Sequence, residues 1–252
     1  MKKVLAFDLD KTLNDSKQPV PEEMAKLFAD LLNHYPCCII SGQKYEQFDV
    51  QVMKPLAAIG ATDAQLANLH LMVGQGTQYY VYSAPKWENI YNNALTSNQV
   101  EEISAALEKA ARELDYWIDL TNGDEIIENR ESMVAYSALG QAAGLEEKEA
   151  WDPDMVKRNK IAARAAELAP DYTFEVGGST TINAFMPGMN KIYGMTRLME
   201  TLNVTEKDIL YFGDMTQPGG NDYPVVQMGI DTITVEKWQD TAFCLRGILG
   251  IR

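Results

Sequence analysis

The sequence predicts an α/β protein with a doubly wound, mostly parallel sheet core interrupted by an inserted α+β unit. Short apolar runs alternate with stretches of helical periodicity near both ends of the chain, as buried parallel strands and their crossover helices require. The middle of the chain turns instead to period-two alternation and amphipathic helices. Acidic segments follow two of the apolar runs, where open α/β sheets place their ligands.

In chain order, Val4–Leu9 reads as a short buried strand ended by polar residues. Pro21 opens a helix with Met24, Leu27, Phe28, Leu31 and Leu32 on one face. Cys37–Ile40 is a second buried strand, and Ser41-Gly42 leads into a helix carrying Tyr45, Phe48 and Val52. Gln78–Ser83 alternates like a half-buried strand or hairpin. Asn98, with Glu101 three residues on, is expected to cap a helix bearing Val100, Ile103, Leu107, Ala110 and Leu114. Tyr116–Leu120 and Ile126–Ala138 read as strands, and Asp152-Pro153 as the start of a helix running to about Leu168. Tyr172–Val176 and Thr180–Phe185 form a closing strand pair. The α/β grammar then returns with a helix over Lys191–Leu202 and strands at Ile209–Phe212 and Thr232–Val235. The expected domains are therefore a core of residues 1–81 and 187–252 and an insert of residues 82–186.

The 252 residues suffice for a substantial core, and 46% hydrophobic with 23% charged residues is an ordinary globular balance. A formal charge of −14 disfavours nucleic acid and anionic membrane as partners, so an anionic substrate needs a locally positive pocket. Asp8 and Asp10 break the first apolar run, so no signal peptide is expected, and no run approaches a membrane span. Cys37, Cys38 and Cys244 lack metal-ligand spacing and fit a reducing cytoplasm, the expected location. His34 and His70 are too few for histidine-based chemistry.

Chemistry is concentrated at the strand ends. Asp8 can attack phosphorus as a carboxylate nucleophile, and Asp10 can protonate a leaving oxygen and later take a proton from the incoming nucleophile. Two aspartates alone are common at a solvated strand end. A second acidic segment, Gly213-Asp214 through Asn221-Asp222, follows another apolar strand, and its carboxylates can supply oxygens to a hard cation. Two acidic strand ends in one sheet would repel unless a cation filled the crevice. Ser41 can hydrogen-bond a phosphate oxygen, and Lys191 can neutralise its charge.

Taken together, Asp8-Leu9-Asp10-Lys11-Thr12, Ser41, Lys191 and Gly213-Asp214 with Asn221-Asp222 resemble the four motifs of haloacid dehalogenase-type phosphatases. The insert resembles the cap of their type II branch. Phe212–Asp222 (FGDMTQPGGND) closely resembles the eukaryotic-type phosphomannomutases, as do Gly177-Gly178 with Asn183, Pro187–Lys191, and Glu128-Asn129-Arg130 through Ser137–Gly140. The similarity extends from residue 4 to about residue 235.

That resemblance implies phosphoryl transfer through an aspartyl-phosphate, with Mg²⁺ held by Asp8, the Asp10 backbone carbonyl and Asp214, and with Asp222 in support. It also implies substrate-binding positions at Lys17, Arg130, Gln141, Lys148, Thr181 and Asn183, and dimerisation through the cap. Arg130 keeps the family's arginine; Lys17, Lys148 and Gln141 stand where arginine is expected, Thr181 replaces serine, and Asn183 replaces aspartate. Lysine loses the bidentate fork, and glutamine loses the charge. Ser41 follows the general phosphatase pattern, not the mutase Gly-Gly-Ser. The reading that results is a sugar-phosphate phosphatase, with interconversion of hexose 1- and 6-phosphates as its alternative. A non-catalytic phosphosugar-binding module is a third reading, against which the joint presence of Asp8, Asp10, Lys191 and Asp214 argues.

Overall fold

The computed structural model describes residues 2–250, which divide into two compact units. The first comprises the chain as far as Asn92, Asn190–Pro218 and the residues from Asp222 onward. Its strands are β1 (Val4–Phe7), β2 (Cys37–Ile40), β3 (Leu69–Val73), β4 (Gln78–Ser83), β5 (Lys86–Asn92), β10 (Ile209–Gly213) and β11 (Asp231–Thr234). They form one sheet in the order β11-β10-β1-β2-β3-β4-β5, parallel from β11 to β3 and antiparallel beyond. The chain winds from β1 toward β2 in one direction and from β10 toward β11 in the other. The topological switch therefore lies between β1 and β10, where α/β sheets open a crevice at their C-terminal ends.

Both faces of this sheet are covered, which is why its central strands are continuously apolar. Leu5 and Phe7 of β1 pack with Cys37 and Ile39 against α1 (Glu22–Leu32) and α10 (Trp238–Gly250). Val4 and Ala6 point the other way, into a cluster with Cys38, Ile40, Met195 and Leu198 from α8 (Lys191–Leu202) and Val225 from α9 (Tyr223–Gln227). Between β2 and β3 run α2 (Tyr45–Phe48), a π-helical turn (Asp49–Met53), α3 (Lys54–Ala58) and α4 (Asp63–Leu66). Pro55 has no N–H to offer the carbonyl of Gln51, and Val20 N–H donates to that carbonyl instead, at 2.8 Å. The loop that follows β1 is thereby tied to this helix.

The second unit, Asn93–Met189 with Gly219–Asn221, carries a four-stranded antiparallel sheet. Its strands are β6 (Ile127–Asn129), β7 (Val134–Ser137), β8 (Thr173–Gly177) and β9 (Thr181–Phe185), in the order β6-β7-β9-β8. Val134, Tyr136, Ile182 and Ala184 face α5 (Ser97–Glu113) and α7 (Val156–Leu168), and α6 (Leu145–Trp151) precedes α7. Within this unit Arg158 and Asp152 form a buried ion pair at 2.8 Å. No described helix is long and apolar enough to cross a membrane.

Several local expectations are corrected. Lys86–Asn92, assigned to the insert on sequence, pairs with β4 in the seven-stranded sheet, so the units divide at Asn92/Asn93 and Met189/Asn190. Thr96, not Asn98, caps α5, because Thr96 and Gln99 make a reciprocal capping box while Asn98 bonds Glu102. Tyr116–Leu120 is not a strand; Tyr116, Trp117 and Leu120 pack against the apolar cluster without pairing. Ile126–Ala138 is two strands joined at a turn where Glu131 adopts φ 64°. The helix expected from Asp152 begins at Val156, with the Asp152 carboxylate accepting from Lys157 and Arg158 N–H at 2.9 and 3.0 Å.

Candidate active site

β1 and β10 are in register, Phe7 opposite Phe212, so Asp8 comes level with Gly213, and Asp214 follows at the same end of the sheet, with carboxylate oxygens of the two within 4.8 Å. Asp8 N–H donates to the Phe212 carbonyl at 2.8 Å, extending the pairing one residue beyond the strand. Lys191 opens α8, whose N-terminus is capped by the Asn190 side chain accepting from Ile192 N–H at 3.0 Å. From there its ammonium reaches Asp8 Oδ1 and Asp222 Oδ1, both at 2.6 Å, and the Tyr211 hydroxyl at 3.0 Å. Tyr211 OH donates to Asp222 Oδ1 at 2.6 Å, and Met215 N–H donates to Asp222 Oδ2 at 3.0 Å. Lys191, Tyr211, Asp8 and Asp222 are all buried.

Burial costs each charge, and the neighbours decide the outcome. Burial pushes the Asp8 carboxyl well above the carboxylate range; Lys191 opposes this, while Asp222 and Asp214 reinforce it. Asp214 is pushed up to about 6, mainly by burial and then by Asp222, against the pull of Lys191 and Lys11. Burial also works against the Lys191 charge, but Asp222 and Asp8 outweigh it and hold the ammonium above its usual range. Tyr211 is raised by burial and by the two adjacent carboxylates, so it stays a hydroxyl donor.

Oxygens of Asp8, Asp214 and Asp222 lie within 4.8 Å of one another, a donor set that fits a hard divalent cation. Asp222 already accepts three hydrogen bonds, which leaves Asp8 and Asp214 as the carboxylates with the most lone-pair capacity toward a metal. The Asp10 carboxylate does not join this group. Its Oδ1 accepts from Lys17 N–H at 2.6 Å and its Oδ2 from Gln43 Nε2 at 2.7 Å, so only its backbone carbonyl remains for the metal role expected of it. Ser41, buried at the end of β2, accepts from Gln43 N–H at 3.4 Å.

In the second unit the expected binding residues share one sheet face. Register sets Ser137 opposite Thr181 and places Glu128, Ala135, Asn183 and Glu175 in one row, on the face opposite the helices. Arg130 reaches this row through Glu128, at 2.8 Å. Gln141 Nε2 donates to Ser137 Oγ at 3.1 Å, and Lys148 Nζ donates to the Gln141 carbonyl at 2.7 Å. Asn183 Oδ1 is buried with no hydrogen-bond partner among the described residues. Sequence reasoning missed Tyr211 and Gln43. Tyr211 is indistinguishable from core in the run Ile209–Phe212, and the only signal for Gln43 was its place two residues after Ser41.

A family model for eukaryotic phosphomannomutase matches residues 59–250, well over half of the chain. The chain belongs to the eukaryotic phosphomannomutase family. Phosphomannomutases of Saccharomyces cerevisiae and Spinacia oleracea are 26% and 27% identical to it, each over 88% of this chain and 84% and 85% of their own lengths. The solved structure of an N-terminally truncated, IMP-bound Plasmodium falciparum IMP-nucleotidase superposes with a TM-score of 0.72 at 19% identity, covering 99% of this chain and 68% of that one. A haloacid dehalogenase-like hydrolase from Bacteroides thetaiotaomicron gives 0.61 at 14% identity, over 98% and 100%. These structures share the fold of this phosphomannomutase-family chain, which is an α/β phosphotransferase of the haloacid dehalogenase superfamily.

Proposed function

We propose that this protein hydrolyses sugar phosphates through a phosphorylated Asp8. The observation that carries the reading is the buried bridge of Lys191 to Asp8 and Asp222, which fixes one carboxylate oxygen of Asp8 and leaves the other to attack. In the first step an Asp8 oxygen forms a bond to phosphorus as the bond to the leaving oxygen breaks, and Asp10 gives that oxygen a proton. In the second step water attacks phosphorus, the Asp8–phosphorus bond breaks, and Asp10 takes the water's proton. Lys191 and Ser41 stabilise the transferring oxygens, with positioning and preorganised charge supplying most of the rate. Mg²⁺ bound by Asp8, Asp214 and the Asp10 carbonyl would neutralise charge developing on the phosphoryl group.

Hydrolysis is preferred over mutase chemistry because of the second unit. A mutase must hold a bisphosphate by its far end while the molecule turns around. Here Gln141 offers no charge, its side-chain amide donates to Ser137 Oγ, and its backbone carbonyl accepts from Lys148. Charge-assisted hydrogen bonds are about twice as strong as neutral ones, so this grip is weaker than an arginine would give. The phosphomannomutase reading is favoured by the relatives' names and by Arg130. Phosphorus NMR of a hexose 1-phosphate with enzyme, Mg²⁺ and a bisphosphate activator decides between them. Inorganic phosphate is expected; predominant 6-phosphate would establish the mutase.

A further inference from the structure

We propose that Gln43 is the positioning residue for Asp10, holding its carboxyl group in place before and after it has given up its proton. The inference rests on the reading of Asp10 as acid and then base. The two oxygens of Asp10 are held from opposite sides of the loop system: Oδ1 by Lys17 N–H at 2.6 Å, and Oδ2 by Gln43 Nε2 at 2.7 Å. Neither holder is itself loose. Lys17 lies in the loop that Val20 ties to Gln51, and its φ of 61° turns its N–H back toward Asp10. Gln43 is buried; its N–H meets Ser41 Oγ at 3.4 Å, and its carbonyl accepts from Gly74 N–H at 3.1 Å. Its backbone is thus fixed between the ends of β2 and β3, with the amide extended 33 residues back in the sequence to Asp10.

The chemistry explains why an amide suits this position. The Lys17 N–H can only donate, so it serves whichever Asp10 oxygen carries no proton. Gln43 Nε2 donates to one lone-pair direction of Oδ2, so the same bond holds whether Oδ2 is ionised or carries a proton on its other side. When Asp10 passes that proton to the leaving oxygen, the phosphorus–oxygen bond breaks and an aspartate remains, still held by the amide. When water's proton returns to Asp10, the hold is unchanged. Gln43 itself gains and loses no proton. A lysine here would favour the ionised form, and an apolar side chain would hold neither.

The test is Gln43→Met, of similar length but without the amide, assayed on two esters. One is the alkyl phosphate turned over fastest in a panel of hexose phosphates; the other is p-nitrophenyl phosphate, whose leaving group departs as a stable phenolate and needs little help from an acid. The expected result is a fall of about tenfold in kcat/KM on the alkyl ester, the worth of one hydrogen bond to a charged group; this ratio reports the steps through phosphorylation of Asp8 and leaves out the hydrolysis that both esters share. The loss on p-nitrophenyl phosphate should be several-fold smaller. In an Asp10→Asn background Gln43→Met should cause no further loss, since its effect passes through Asp10. Gln43→Glu, the same in shape, provides a folded comparison and should show the same selective loss, because its carboxylate has no N–H for Oδ2. Equal losses on both esters, or additive losses with Asp10→Asn, would mean a merely structural glutamine and overturn the proposal. An Asp10→Asn enzyme with unchanged alkyl-phosphate turnover would overturn it by a different route, by removing the role of Asp10 itself.

Discussion

Replacing Lys191 by methionine removes the ammonium from two buried carboxylates while keeping most of the side chain's volume. Breaking a buried ion pair from one side costs about 3–5 kcal/mol, because the remaining charge has lost both water and partner. Here one ammonium serves Asp8 and Asp222 at 2.6 Å each, so the upper part of that range is expected at pH 8 without metal. For a chain of this size that is a fall of roughly 8–20 °C in Tm, at about 2–4 °C per kcal/mol. The loss should shrink in acid. Asp8 is already pushed up by burial against the pull of Lys191, and Asp214 is held at about 6. In the mutant both groups bind protons in the folded state at pH values where the unfolded chain, with carboxylates near pKa 4, does not. Stability then rises as pH falls through the folded pKa toward the unfolded one, by about 1.4 kcal/mol per pH unit for each such group. Acidifying from pH 7 to pH 5 should therefore narrow the difference from wild type, because the mutant lacks the Lys191 charge that opposes protonation of Asp8 and Asp214. Thermal unfolding followed by circular dichroism in chelator at the two pH values measures both quantities, and Mg²⁺ at pH 8 should rescue the mutant more than the wild type. A mutant within 2 °C of wild type at pH 8, or an equal deficit at both pH values, would refute the electrostatic account of this cluster.

Asp8→Asn should lower turnover by about 10³-fold or more, since an amide oxygen forms no stable acyl-phosphate, while the near-isosteric side chain leaves the protein folded; steady-state release of inorganic phosphate checks the first and a cooperative melt the second. Asp214→Asn should raise the Mg²⁺ concentration for half-maximal activity by at least about tenfold, read from a metal titration after chelation. Tyr211→Phe should cost about 1–1.5 kcal/mol in urea unfolding, because the hydroxyl bridges Lys191 and Asp222 in the buried cluster and its removal deletes two hydrogen bonds without breaking the ion pair. Gln141→Arg should increase the proportion of hexose 6-phosphate over inorganic phosphate in the NMR assay by adding a charge next to Ser137 and Lys148.

What the sequence made legible follows from burial. β1, β2 and β10 are covered on both faces, so their residues are apolar without interruption and the polar residue that ends each run marks the site. Asp8, Asp10, Ser41 and Asp214 are read from such ends, and Lys191 from its place at the start of a helix. β5 was not, because as an exposed edge strand it reads Lys-Trp-Glu-Asn-Ile-Tyr-Asn, with little apolar alternation and only partial burial of Trp87 and Tyr91. α6 escaped for the same reason, with no buried residue in Leu145–Trp151. The cap of α5 is expected at Asn98 on sequence and lies at Thr96, because periodicity does not fix a helix's first residue to within two positions. Tyr211 illustrates the opposite failure: its ring belongs to the core, so only the structure shows that its hydroxyl closes the polar cluster.

The two units also differ in how much latitude their polar residues have. Around Lys191 each change is constrained by the rest, because removing one partner strands another in a buried site: Asp222 alone accepts from Lys191, Tyr211 and Met215. On the polar face of the second sheet Gln141 Nε2 donates to Ser137 Oγ and Lys148 to the Gln141 backbone carbonyl, both neutral acceptors, and Asn183 Oδ1 is buried without a partner among the described residues. An unsatisfied buried acceptor costs about 1–3 kcal/mol, and it is worth keeping where a ligand's hydroxyl or ammonium group completes it. An aspartate at this position would repel an anionic substrate group and bind a cation or a sugar hydroxyl strongly; asparagine keeps the acceptor, adds a donor and drops the charge. Substitution at these neutral contacts therefore costs folding little, whereas substitution around Lys191 unbalances a buried charge cluster.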